Sequence, residues 1–100
     1  MVDIDRWKTL PIHIQMGNIG SEVCRTINLC DKRSEYAVDS FYRALELLDI
    51  TLQSHTSYGC LKELCRVREL LCAIVVQGDE GNKAALKKYF NDFAMIRSAG

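Results

Sequence analysis

Apolar residues recur every three or four positions along this chain, in four separate stretches. The first runs from Pro11 to Cys30. There Ile12, Met16, Ile19, Val23, Ile27 and Cys30 are spaced by four, three, four, four and three. That rhythm sets one side of a helix against a core. Pro11 suits the first helical turn, where its missing N–H is not needed. Beside the seam lies a strip of small residues: Gly17, Gly20, Ser21 and Cys24. A glycine inside a helix costs about 1 kcal/mol relative to alanine. The strip therefore predicts the close approach of another helix or of a partner chain. Gln15, Asn18, Glu22 and Arg25 make the polar face.

The second stretch covers 34–53. Ser34 reads as its N-cap and Glu35 as an acid in the first turn. Ala37, Phe41, Ala44, Leu48 and Leu52 form the expected core stripe, with Val38 and Leu45 on one shoulder. The third stretch, 60–77, carries two seams. One holds Cys60, Leu64, Val67, Leu71 and Ile74; the other holds Leu61, Cys65, Arg68, Cys72 and Val75. A helix so broadly apolar is expected to be the most buried. The fourth stretch, 82–97, opens on Asn82 as cap and turns Leu86, Tyr89, Phe90, Phe93 and Ile96 inward. Ser54–Gly59 and Gly78–Gly81 read as breaks.

Short connections between amphipathic helices predict antiparallel neighbours. The expected fold is all-α: an up-down-up-down four-helix bundle with a short N-terminal arm, residues 1–10, in one domain spanning 1–100. Trp7 and Leu10 of the arm are too apolar to dangle and should pack across one end. LLCAIVV, Leu70 to Val76, resembles a buried strand but continues a helical seam, and it is too short to span a membrane.

Composition changes this picture little. Lys plus Arg number 13 and Asp plus Glu number 13, so the chain has no net field to steer it onto nucleic acid or an anionic membrane. The five cysteines contain no C-x-x-C pair. With no signal-peptide pattern, they read as reduced thiols in a cytoplasmic protein.

The candidate chemistry centres on Arg68, which sits within the apolar arc of the third helix. A buried arginine needs a carboxylate. Glu22 is the expected partner, with Glu46 and Asp49 as alternatives. The competing reading is an anion site, since a guanidinium fork suits phosphate equally. His13 and His55 do not combine with the thiols at zinc-site spacing. Ser21 and Cys24 lie within a turn of Glu22, but no histidine is close by in sequence to act as base. No cofactor, metal or catalytic set is expected. Lys83, Lys87, Lys88 and Arg97 form a candidate basic patch on the last helix.

Three runs carry a resemblance: Trp7–Arg25 (WKTLPIHIQMGNIGSEVCR), Ala37–Leu52 (AVDSFYRALELLDITL) and Leu61–Leu70 (LKELCRVREL). Together they resemble a set of short prokaryotic helical proteins, and the resemblance implies the helical fold. The chain is more distantly similar to HEPN-type bundles, often paired with nucleotidyltransferases in toxin–antitoxin systems, and to four-helix accessory proteins of retroelements. The HEPN ribonuclease signature is an arginine followed within a few residues by a histidine on one helix. Here Arg6 and His13 straddle Pro11, so that activity is not carried over. The reading that follows is a non-enzymatic module that works by protein–protein contact, with itself as a homo-oligomer or with another protein. The alternative is a nucleic-acid-associated component of a toxin–antitoxin or retroelement system.

Overall fold

A computed structural model describes residues 3–54 and 58–99, excepting the side chains of 58 and 93–99. The described residues form five helices in order: α1 (Ile4–Thr9), α2 (Ile12–Asp31), α3 (Ala37–Ser54), α4 (Tyr58–Gln77) and α5 (Glu80–Ala99). The described residues contain no strand. The fold is all-α, and the stretch expected as an arm contains a helix of its own.

Asp3 caps α1, its Oδ1 accepting the Arg6 N–H at 3.2 Å. Leu10 ends the helix in extended conformation, ψ 141, because a residue before proline is driven out of the helical region. The short helix is latched at Trp7. The indole is buried, and its Nε1 donates to Thr51 Oγ1 at 2.9 Å. The Trp7 carbonyl accepts from Gln15 Nε2 at 2.8 Å. The expected burial of Trp7 is observed; Leu10 is half-buried against the core.

Within α2, Met16, Ile19, Val23 and Ile27 are buried, whereas the ends of the predicted seam lie further out: Ile12 is exposed and Cys30 half-buried. Arg33 takes a left-handed conformation, φ 53. The Ser34 N–H returns to Leu29 O at 2.9 Å and the Arg33 N–H to Cys30 O at 3.0 Å. This pattern closes the last carbonyls of α2, a task glycine performs in many helices. Gly78, φ 69, takes the same conformation just after α4.

Two predicted caps shift. Ser34 precedes α3 by three residues; its carbonyl accepts the Ala37 N–H at 3.2 Å and its Oγ the Tyr36 N–H at 3.2 Å. The turn that closes α2 occupies the place where the helix was expected to begin. At α5 the cap is Asp79, which accepts the Asn82 N–H at 3.4 Å and the Asn82 side-chain amide at 2.6 Å. A carboxylate beside a helix N-terminus is favoured by the helix dipole, and α5 begins two residues earlier than expected.

The core runs between the long helices. Ile19, Val23 and Ile27 of α2 meet Ala44 and Leu48 of α3, Leu64 and Leu71 of α4, and Leu86 of α5 in one cluster. On α3, Leu47 is buried and Leu52 only partly so, the reverse of their expected weight. α2 packs most extensively on α3 and also touches α4 and α5. It is therefore the helix the others share, and α4 is not the most buried. Along α2 and α5 the pairings run in opposite senses: Lys83 Nζ meets Asp31 Oδ1 at 2.6 Å and Lys87 Nζ meets Asn28 Oδ1 at 2.9 Å. Phe90 then reaches Gly20.

That contact explains part of the small-residue strip. A Cβ placed on Gly20 would lie 2.7 Å from Phe90 Cδ1 and 3.1 Å from Cγ. Cys24 is half-buried beside Lys87, and Gly17 is half-buried. Ser21 is exposed and donates to Gly17 O at 3.1 Å. Gly20 and Cys24 thus face α5, which is the close helix that the strip predicted without specifying.

Gly20→Ala should lower unfolding stability by about 1–2 kcal/mol, because overpacking against the ring outweighs the gain in helix propensity. Combining it with Phe90→Leu should recover part of that loss as a negative coupling in a double-mutant cycle, read by denaturant unfolding.

Candidate functional site

Arg68 is not in the core. Its side chain is 41% exposed, and its Nε donates to Asp49 Oδ1 at 2.9 Å; the Asp49 side chain is 46% exposed. The expected Arg68–Glu22 pair is therefore overturned in favour of one of the alternatives. Glu22 instead belongs to a small network between α2 and α3. Its Oε2 accepts from Ser40 Oγ at 3.3 Å, and Ser40 Oγ lies 2.8 Å from Thr26 Oγ1. Thr26 donates back to the Glu22 carbonyl at 2.8 Å. The reason is the direction of the second seam of α4. Leu64, Val67, Leu71 and Ile74 take the core. The neighbouring seam turns onto the flank beside α3, and Asp49 is the carboxylate that stands there. Its hydrogen bond raises the Arg68 pKa.

Two matching seams meet on this flank. On α3 they are Val38, Tyr42, Leu45, Asp49 and Leu52, spaced four, three, four and three. On α4 they are Leu61, Cys65, Arg68, Cys72 and Val75, with the same spacing. Leu45, Leu52, Cys72 and Val75 rest partly on the core. Around them Tyr42 is 63% exposed, Val38 53% and, one residue beyond the α4 seam, Val76 74%. Apolar residues at helical spacing that stay in solvent mark an interaction surface more than isolated exposed ones do. The sequence pattern placed Val38 and Leu45 on a shoulder and singled out Arg68; it did not single out Tyr42 or Val76. Their four-residue spacing from Val38 and Cys72 is the signal that was available.

The expected basic patch does not form a free strip. Lys83 is held between Asp31 at 2.6 Å and Glu80 at 2.9 Å, with its side chain only 13% exposed. Lys87 donates to Asn28, and Lys88 pairs with Asp92 at 2.5 Å. The Arg97 side chain lies outside the described residues. Lys83 and Lys87 face α2 while Lys88 edges a groove on the α4 side, so the helix turns its lysines in two directions. The hydrogen bond from Lys83 pulls the Asp31 carboxyl below its ordinary value.

That groove, about 340 Å³, runs between α4 and α5 over Val67, Leu70 and Leu86, with Glu63, Arg66 and Lys88 at its edges. A shallower hollow of about 220 Å³, reaching Ile12 and Met16, adjoins it at Glu63 and Tyr89. Burial, aided by Glu63, pushes the Tyr89 phenol up, so it stays a neutral hydrogen-bonding group. The rim carries both signs of charge and selects no single class of ligand.

All five cysteines are free. Burial pushes the thiols of Cys24, Cys30 and Cys60 up, while Cys65 is exposed on the α3–α4 flank. Among the described residues no three His, Cys, Asp or Glu side chains come together as metal ligands. His13 is exposed, and His55 lies outside the described residues. No described helix is long and apolar enough to cross a membrane. Comparison with protein-family models, curated proteins and solved structures finds no match to this chain.

Two outcomes follow from these environments. Under native conditions a maleimide should label Cys65 well before Cys24, Cys30 or Cys60, as read by peptide mass spectrometry. Stability should also respond to acid through Asp31. Because folding lowers its pKa from 3.8, its contribution is complete above that value and fades as pH falls through the lower folded value. Asp31→Asn should therefore melt below wild type at pH 7, and the gap in melting temperature should close progressively below about pH 4.

Proposed function

We propose that this chain is a non-enzymatic protein–protein interaction module, an up-down-up-down bundle of α2 to α5 that assembles with copies of itself. The observation that carries this reading is the outward second seam of α4, with Tyr42, Val38 and Val76 exposed beside it. A monomeric helix needs one apolar stripe; α4 has two, and only one is in the core. The reversed α2–α5 pairings and the shared position of α2 support the alternating topology. The five free thiols suit the reducing cytoplasm. The chain's resemblance to short prokaryotic helical proteins accords with this reading. The nucleic-acid alternative loses its main support, because Lys83 and Lys88 are paired with carboxylates and Lys87 with Asn28.

Light scattering or sedimentation of the full chain at micromolar concentration should give a mass above that of one chain. Tyr42→Glu and Val76→Glu should each bring it down to 11.4 kDa with the helical circular dichroism unchanged. A monomeric wild type would overturn the proposal.

A further inference from the structure

Resting on that reading, we infer that the occupant of the α3–α4 flank is a second copy of this chain, docked about a two-fold axis running along the helices between α3 and α4. That operation lays α4 of each copy on α3 of the other.

The flank is complementary in charge to its own copy. Each of the two five-residue seams carries a single charged residue, Asp49 on α3 and Arg68 on α4. They bond through Arg68 Nε and Asp49 Oδ1 at 2.9 Å, so a docked copy would be met through the terminal guanidinium nitrogens and Asp49 Oδ2. A two-fold axis between the helices sets Asp49 opposite Arg68 of the partner subunit, and the reverse. The four groups then close into a ring in which each carboxylate accepts from two guanidinium groups, a bridging arrangement that the five N–H donors of each arginine permit. A partner of one net sign would meet one attraction and one repulsion here.

The register of the two helices is self-complementary as well. With α3 and α4 antiparallel and rising equally per residue, the Asp49–Arg68 pair sets Leu45 level with Cys72, Leu52 with Cys65 and Tyr42 with Val75. The same levels hold across the two-fold axis, so apolar residues of one copy meet apolar residues of the other above and below the ring. Self-complementarity of this kind is what an isologous interface requires. With 13 basic and 13 acidic residues, two copies also approach without net repulsion.

The test is a charge exchange in the full chain, followed by analytical ultracentrifugation. Arg68→Asp makes the pair wholly acidic and Asp49→Arg makes it wholly basic. Each variant alone should self-associate more weakly than wild type by on the order of a hundredfold. An equimolar mixture should regain association as a heterodimer. Circular dichroism checks that both variants are helical. Independently, bismaleimidohexane should link wild-type chains through Cys65 to Cys65. If Tyr42→Glu dissociates the oligomer but both charge variants retain wild-type affinity, or their mixture does not recombine, the two-fold pairing is wrong and the interaction module stands. A cross-link confined to other cysteines also overturns the pairing. A monomeric wild type overturns both.

Discussion

Phe90 lies against the bare backbone of α2 at Gly20, and the closure of the bundle depends on that contact. Successive helices with short connections pack α2 on α3, α3 on α4 and α4 on α5 almost automatically. What makes a ring of them is the return of α5 to α2. A side chain at position 20 would hold the helices apart by the width of a methyl group, and the core of Ile19, Val23, Leu64 and Leu86 would lose its density. Lys83–Asp31 and Lys87–Asn28 then fix the level at which α5 meets α2. They are exposed or partly exposed pairs, so they set register more than they add stability.

Closure on α5 has a consequence on the far side. α2 uses its broad face on α3 and its small strip on α5, which leaves α4 across the core. α4 can offer one stripe inward. Its second stripe has to go to a flank, and there it meets the outer shoulder of α3. Arg68 travels with that stripe. A guanidinium half in water beside a carboxylate carries little of the desolvation penalty that a core position would impose, so the residue that looked costly in projection is comfortable where it lies.

The helices were legible because their apolar spacing follows local geometry. The seam from Met16 to Ile27 and the stripe from Leu64 to Ile74 are buried as the spacing requires. Trp7 was legible as an anchor because an indole that large does not stay in water. Its latch was not: Thr51 and Gln15 are polar residues whose burial is meaningful only once Trp7 presents an N–H and a carbonyl to them. The caps at Ser34 and Asn82 failed for a related reason. Each stands near a better solution, a left-handed Arg33 that closes α2 and an Asp79 that precedes α5, and a cap is chosen by competition among neighbours. Gly20 was read correctly as a close approach, but the strip's partner helix depends on topology, which one helix's periodicity does not contain.

The same distinction bears on the basic residues of α5. Lys83, Lys87 and Lys88 are neighbours in sequence, and neighbours on a helix point in different directions. Two of them face α2, where Asp31 and Asn28 await them, and the third pairs along its own helix with Asp92. An anion would have to displace those partners before it met a free charge. The α3–α4 flank asks for no such exchange. Its two charges already stand together, each less than half exposed, and Val38, Tyr42 and Val76 lie in solvent beside them. Under the proposed self-association, a second copy covering that surface would bury both at once, whereas a polyanion on the lysine-bearing helix would first have to break existing pairs.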